Sequence, residues 1–272
     1  TDRVLVAGAG LAHRTRKSRW PARLDLAQSA TGLVLGLFMW GHMFFVSTIL
    51  ISDDLMWMVT KGFEGYFFFG RSFPIIVSGV VAAIFALLVV HALLAMRKFP
   101  ASFGQAHTFV THRRLLGHGD TTLWWVQAVT GFALFFMAAV HLYQMLMHPG
   151  AIGPYESSAR VYDGWWPLYL LLLLAVELHG GIGLYRLAVK WGWFFREGTP
   201  IDVARRRLTL AKWGLTVFFL ALGLLTLGAY MKTGYALRHV ENPVYTPAWL
   251  ANPPTAEAPA WWPSWLKGPY RH

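Results

Sequence analysis

The sequence predicts an all-α integral membrane protein, a bundle of five transmembrane helices. Three observations indicate this class: 56% of the 272 residues are hydrophobic, only 14% are charged, and the mean hydropathy is +0.42. Soluble domains carry roughly a quarter charged residues. The charges are also clustered, leaving five stretches that can each supply the about 20 apolar residues that a spanning helix needs. The predicted spans are 26–51, 72–97, 121–148, 164–194 and 208–232.

The first three spans follow from uncharged stretches and their flanks. No Asp, Glu, Lys or Arg occurs in 26–52, 72–96 or 121–155. Asp120 offers N-cap chemistry at the start of the third span, and Pro149 ends it. Backbone groups in lipid have no water to bind, so each of these stretches is predicted to be a helix.

The last two spans are almost as free of charge. Glu177 is the sole charged residue in 164–185, and 213–231 has none. Around the five-helix membrane domain, 26–232, the chain adds a polar lead, 1–25, and a Pro- and Trp-rich tail, 233–272. We expect the tail at the outer interface, where Trp is favoured.

The distribution of basic residues predicts the orientation. With five spans, the N-terminus and the second and fourth loops share one side, which carries 17 of the 24 Lys and Arg residues. The positive-inside rule then places the N-terminus in the cytoplasm and the C-terminus outside. The net charge of +11 is explained mainly by this topology, and nucleic-acid binding is a poor interpretation because the basic residues border membrane spans.

The chain has no cysteine. This excludes disulfides, cysteine-ligated iron–sulfur clusters and covalent haem attachment through a C-x-x-C-H motif. Any iron held by the chain must therefore use other ligands.

Four histidines each lie in a different predicted span: His42, His91, His141 and His179. An ionisable side chain inside a bilayer is costly and usually faces a partner in the bundle. With a rise of about 1.5 Å per residue, His42 and His141 lie in an outer layer, and His91 and His179 in an inner layer about 15 Å away.

This pattern predicts two haems, each clamped by two histidines, because neutral imidazole is a good haem-iron ligand. Small residues beside the histidines, including Gly41, Ala92, Ala139 and Gly180, leave room for such a group. The alternative is that the four are buried core histidines bonded to hydroxyls or backbone carbonyls. Four histidines on four helices in two matched layers favour haem.

The sequence at these positions resembles the di-haem cytochrome b membrane anchor of menaquinol:fumarate reductases, in the succinate:quinone oxidoreductase family. The resemblance covers roughly 17–232. The matching stretches are RWPARLDLAQSATGLVLGLFMWGH (Arg19 to His42), HALLAMRKFP (His91 to Pro100), HGDTTLWWVQ (His118 to Gln127) and ELHGGIGLYRLAVKWGW (Glu177 to Trp193).

The resemblance implies a role in electron transport during anaerobic respiration, in a bacterial cytoplasmic membrane. It implies two haem b groups and menaquinol as substrate. It also implies partners on the cytoplasmic face, a flavoprotein with FAD and an iron–sulfur subunit, where the dicarboxylate chemistry occurs. A dimer of heterotrimers is implied as well. His42 with His141, and His91 with His179, occupy the family's ligand positions.

Two acidic residues gain candidate roles from the same resemblance. Glu64, in the stretch KGFEGYF of the outer loop, is expected to accept a proton from menaquinol, whereas a loop Glu is otherwise most often a solvated charge. Glu177 is expected to relay protons inward, since acids within membranes often mark proton paths. Its alternative is a neutral carboxyl bonded within the bundle.

Five further residues are expected near haem propionates, which are anionic and need donors near the membrane surfaces. The alternative for Lys190 and Arg160 is that they only extend their charged ends to the membrane surface at helix ends. Four candidates belong to the inner side and one to the outer side: Gln28, Ser29, Trp124 and Lys190, and Arg160.

Two other classes remain open at this point. One is the di-haem b anchor of a hydrogenase or formate dehydrogenase, which the motifs disfavour. The other is a haem-free membrane protein, either a proton-coupled transporter or a passive anchor. Transporters often have Pro- or Gly-broken helices near the midplane, and no predicted span has a mid-helix proline.

Overall fold

The structure is a computed structural model that describes residues 18–99, 104, 119–195 and 197–251. Within these residues five helices are long and apolar enough to cross a membrane, and no strand forms, so the predicted all-α class is confirmed. They are α1 (Trp20–Val46), α2 (Pro74–Met96), α3 (Gly119–Met147), α4 (Trp166–Trp191) and α5 (Ile201–Ala236). The first 17 residues of the predicted lead and 252–272 of the predicted tail lie outside the described residues.

Prolines occupy the first turn of three of these helices, α1, α2 and α4. A proline is tolerated there because the first N–H groups of a helix have no intrahelical acceptor. Helix α1 begins at Trp20, six residues before the predicted start. Asp25 does not interrupt it, because its carboxylate is paired with Lys98 and Lys190.

Helix α5 is longer than predicted at both ends, at 36 residues or about 54 Å. The hydrocarbon core is only about 30 Å thick, so an apolar pattern detects only part of such a helix. The Arg-rich stretch 205–207, predicted as loop, forms early turns of α5. Arginine is a good helix former, so polarity at the membrane surface did not end the helix.

The two ends of the bundle are called outer and inner after the predicted orientation. The first outer loop, between α1 and α2, is ordered rather than irregular. It contains a short helix, Asp53–Phe63, capped by the Ser52 hydroxyl, which accepts a hydrogen bond from the Leu55 N–H at 3.1 Å. Gly65 then adopts a left-handed φ of 78°, which favours glycine, and a further turn, Tyr66–Phe69, leads to α2. The loop thereby forms a folded cap over the outer end of the bundle.

The outer cap is completed by the segments that flank α4 and α5. A short helix, Pro154–Arg160, and a π-helical turn, Val161–Trp165, precede α4. Val161 packs in one buried cluster with Ile49, Met56 and Tyr230.

The chain after α5 folds back over the first outer loop. The Tyr245 hydroxyl donates to Asp54 Oδ1 at 2.7 Å, and Trp249 packs edge-on against Trp57. Burial first, and then the bond to Asp54, raise the pKa of Tyr245, so its hydroxyl remains a donor. The described part of the tail is therefore attached to the outer cap.

Candidate functional site

A partly open cavity of about 1030 Å³ runs along the bundle and is lined by side chains from all five long helices. Small-molecule sites are typically about 300–1,000 Å³, so this space suits large ligands. All four predicted histidine ligands line it: His42, His91, His141 and His179.

The outer part of the cavity brings His42 of α1 and His141 of α3 together, with ring centroids 6.2 Å apart. Phe38, one turn before His42, stacks on its ring at 5.9 Å, and Tyr169 of α4 meets His141 edge-on. Among the described residues, the buried Nδ1 of His141 has no hydrogen-bond partner. The two rings are held by aromatic contacts on their flanks and face each other across the cavity.

The inner part brings His91 of α2 and His179 of α4 together, with ring centroids 6.5 Å apart. His179 Nδ1 lies 2.8 Å from the Gln127 carbonyl oxygen and must donate to it. His91 Nδ1 lies 3.0 Å from Thr31 Oγ1, which is also within hydrogen-bond distance of the Ala27 and Gln28 carbonyl oxygens, at 2.9 and 3.1 Å. The bond to Gln127 leaves the Nε2 lone pair of His179 available to a metal, and Nε2 of His91 is available in the same way when its Nδ1 donates to Thr31.

The spacing of both pairs fits an iron held between two imidazoles. A bond between a metal ion and an imidazole nitrogen is about 2 Å long, which holds the two ring centroids about 6 Å apart. Glycines give the inner rings their space, because a Cβ at Gly32 or at Gly131 would lie 2.8 Å from Cε1 of His91 or of His179. The donor set and the cradle thus fit two bis-histidine haems.

The five residues predicted near haem propionates lie at the two ends of the cavity. At the inner end, Lys190 pairs with Asp25 and donates to Ser29 Oγ at 3.1 Å; Gln28 and Trp124 also line this end. At the outer end, Arg160 lines the cavity and donates to the Ala151 carbonyl at 2.8 Å.

Glu64 is fully buried, although it follows a surface helix. Lys61 Nζ lies 2.9 and 2.8 Å from its two carboxylate oxygens. Thr60 and Phe63, from the same helical turn, line the outer part of the cavity. Lys61 was not among the residues predicted from the sequence. Its position three residues before Glu64 was the available signal, because a helix brings side chains at that spacing together.

Glu177 is also fully buried, on the face of α4 that packs against α5. Neither carboxyl oxygen has a hydrogen-bond partner among the described residues. His179, two residues on, lies about 200° round the helix and faces the cavity instead. The same α4–α5 interface buries Thr216 and Lys212, neither of which was predicted from the sequence as a site residue. The signal was a lysine inside the predicted fifth span rather than at its edge.

Comparisons with known proteins agree with this architecture. The family model for the succinate dehydrogenase/fumarate reductase transmembrane subunit matches residues 105–224. The fumarate reductase cytochrome b subunit of Wolinella succinogenes is 56% identical over 234 residues, covering 86% of this chain and 91% of that protein. The protein of the same name from Helicobacter pylori is 52% identical over 246 residues, covering 90% of this chain and 93% of its own.

Proposed function

Because the chain belongs to the family of fumarate reductase cytochrome b subunits, the membrane anchors of succinate dehydrogenase and fumarate reductase complexes, we propose that it oxidises menaquinol near the outer face of a bacterial cytoplasmic membrane. The electrons reach fumarate on partner subunits at the cytoplasmic face. The observation that carries this proposal is the arrangement of four histidines as two facing pairs in one cavity.

Two b haems, bound by His42 with His141 and by His91 with His179, would supply one-electron carriage between the two faces. The chain's own residues orient them. The Gln127 carbonyl fixes the tautomer of His179, and the Thr31 hydroxyl is placed to accept a hydrogen bond from Nδ1 of His91. Gln28, Ser29, Trp124 and Lys190 supply the inner polar end, and Arg160 supplies the outer one.

Glu64 is the proposed base of quinol oxidation, which releases two protons. A carboxylate within hydrogen-bond reach of a hydroxyl can take its proton as the bond to oxygen breaks. Lys61 Nζ donates to both oxygens of Glu64, and this ion pair offsets the cost of burying the carboxylate beside the cavity. Thr60 and Phe63 connect this group to the cavity where the quinol ring would enter.

Glu177 is the proposed relay for protons that move inward with the electrons. Such movement would cancel the charge separation that electrons alone create. Glu177 is fully buried, and its carboxyl has no hydrogen-bond partner in the described structure. Burying such a group costs free energy, and acids buried within membranes tend to mark proton paths, which supports this role.

The partners proposed are a flavoprotein with FAD and an iron–sulfur subunit, assembled as a dimer of heterotrimers. Family membership decides against the hydrogenase and formate dehydrogenase anchors. The haem-free alternative is decided by experiment.

The first experiment measures b haem per polypeptide in the purified complex, by pyridine assay and reduced-minus-oxidised spectrum. We expect two haems in the native protein and one each in His42→Ala and His91→Ala, with different spectra for the two variants. A native complex without haem would overturn the electron-transfer function. Loss of the same haem in both variants would overturn the pairing.

A further inference from the structure

The chain after α5 returns to the outer cap and joins two short helices there, Asp53–Phe63 and Pro154–Arg160, which we name the first and second cap helices. The joining segment, 243–251, is named the clasp. We propose that the clasp holds the two cap helices at the spacing that menaquinol needs in the outer part of the cavity, with Tyr245 as the positioning residue. This inference rests on the proposed oxidation of menaquinol beside Glu64.

Tyr245 contacts both cap helices at once. Its hydroxyl donates to Asp54 Oδ1 at 2.7 Å, in the first turn of the first cap helix. Its ring packs edge-on against Tyr155 of the second cap helix, with ring centroids 4.9 Å apart. Its backbone N–H also interacts favourably with the carboxylate of Glu156. One residue of the clasp therefore ties the two helices together.

The first cap helix turns opposite faces to the clasp and to the cavity. Asp54 and Trp57 contact the clasp, and at about 100° per residue they lie about 60° apart around the helix. The far side lines the outer part of the cavity with four residues, Met56, Val59, Thr60 and Phe63. Because the hydrogen-bonded helix links its two faces rigidly, a shift of the clasp face also shifts the cavity wall.

The second cap helix is arranged in the same way. Tyr155 meets the clasp, whereas Ser157 and Arg160 line the cavity. Ser157 lies about 200° and Arg160 about 140° round the helix from Tyr155, so the contacts are on opposite faces. Arg160 Nη2 donates to Ser157 Oγ at 3.1 Å and links the two side chains on the cavity wall. The clasp therefore holds both walls from behind.

The clasp is itself anchored beyond Tyr245. Pro247 is less than 2% exposed, and its carbonyl accepts hydrogen bonds from the N–H groups of Leu250 and Ala251 at 2.9 and 3.0 Å. Trp249 packs edge-on against a tryptophan of the first cap helix, with ring centroids 5.6 Å apart. A segment beyond the last helix is poorly ordered unless it is tied down. These contacts give the clasp the fixed shape that positioning requires.

The same contacts extend to the turn that carries Glu64. Trp57, which meets Trp249 of the clasp, also packs edge-on against Tyr66, with ring centroids 5.7 Å apart. Tyr66 follows Glu64 by two residues, after the left-handed Gly65. The clasp therefore supports the proposed base and the cavity wall beside it as one unit.

The test measures turnover of the whole complex over a range of concentrations of a short-chain naphthoquinol, with fumarate as acceptor. Tyr245→Phe removes the hydroxyl and keeps the ring against Tyr155. We expect the KM for the naphthoquinol to rise about fivefold, as the loss of one hydrogen bond implies, with kcat and haem content unchanged. Turnover from a soluble dye that donates directly to the partner subunits should stay native, which a general loss of structure would not allow.

Asp54→Ala removes the acceptor of the same hydrogen bond. The double variant Tyr245→Phe with Asp54→Ala should show the KM of either single variant, because both changes break one contact. Tyr235→Phe is the matched control, since it makes the same chemical change at an exposed tyrosine near the outer end of α5, and it should keep the native KM. Asp54→Ala replaces Tyr245→Phe as the test if Tyr245→Phe does not assemble with both haems.

A native KM in the assembled variant, a parallel fall in the dye rate, or multiplied effects in the double variant would overturn the inference. Glu64→Gln separates it from the proposed function. If Glu64→Gln keeps the native kcat, the proposed base is wrong. If Glu64→Gln lowers kcat and the assembled clasp variants keep the native KM, only the clasp inference is wrong.

Discussion

At the scale of single residues, the ion pair between Lys61 and Glu64 explains how a carboxylate can be buried at the outer end of the bundle. Glu64 is fully buried and Lys61 is 22% exposed, so the lysine bridges a buried group and the outer surface. Burying a carboxylate is costly unless a cation or hydrogen bonds stabilise it. Lys61 supplies both, and it is held by a helix that begins with a Ser52 cap.

Lys61→Met should slow menaquinol oxidation about tenfold or more, since a hydrogen bond to a charged group contributes about 1.5–3 kcal/mol. Lys61→Arg, which keeps the cation, should retain most of the rate. The measurement is menaquinol:fumarate turnover, compared with turnover from a soluble dye that donates directly to the partner subunits. The dye rate should not change. A native menaquinol rate in Lys61→Met would limit Lys61 to a structural role.

Residue depth could be predicted from the sequence, but residue neighbours could not. A fixed rise per residue gives the height of each histidine in the membrane, and the structure brings together the same pairs that the heights suggest. Contacts such as Lys61 with Glu64, or Thr216 with Gly181, depend on how each helix is rotated against its neighbour. Uncharged spans are apolar on every side, so their pattern does not fix that rotation.

At the scale of the helix, glycine positions decide whether the histidines can occupy the cavity. Gly131 of α3 faces His179 of α4, and Gly32 of α1 faces His91 of α2. Each of these glycines lies on a helix other than that of the histidine it accommodates. Two helices therefore define each inner ring position: one carries the imidazole and the other leaves space for it.

Gly131→Ala is expected to disturb the inner histidine pair alone. Its Cβ would lie 2.8 Å from His179 Cε1 and 3.1 Å from Nδ1, so the ring must move away from the Gln127 carbonyl. We expect the haem content to fall from two towards one per polypeptide, as in His91→Ala. Gly79→Ala on α2 is the control, because a Cβ there meets nothing within 4 Å. Two normal haems in Gly131→Ala would contradict this account.

Helix boundaries show where the apolar pattern stops being informative. The five spans were predicted correctly from charge-free stretches, but α5 begins at Ile201 rather than at 208. The short helix Asp53–Phe63 was predicted only as a loop. Both errors have one cause: at the membrane surface polar residues continue or form helices, and only caps and prolines mark the ends.

At the scale of the whole molecule, function depends on which face of the bundle is outside. Glu64 and the attached tail lie at one end of the bundle, and Asp25, Lys98 and Lys190 lie at the other. The basic residues predict that the Glu64 end is outside, which sends electrons and the proposed protons inward. Reversing this orientation would place quinol oxidation on the same side as fumarate reduction and remove the need for a relay.

The absence of cysteine permits a direct test of orientation, because one introduced thiol is labelled against a silent background. Glu197 and Glu241 form a matched pair: both are exposed glutamates, one before α5 and one after it. In intact cells, a membrane-impermeant maleimide should label Glu241→Cys and leave Glu197→Cys unlabelled. Permeabilised cells lacking the partner subunits should label both. Labelling of Glu197→Cys alone in intact cells would show that the topology is inverted and, with it, the direction proposed for the movement of electrons and protons.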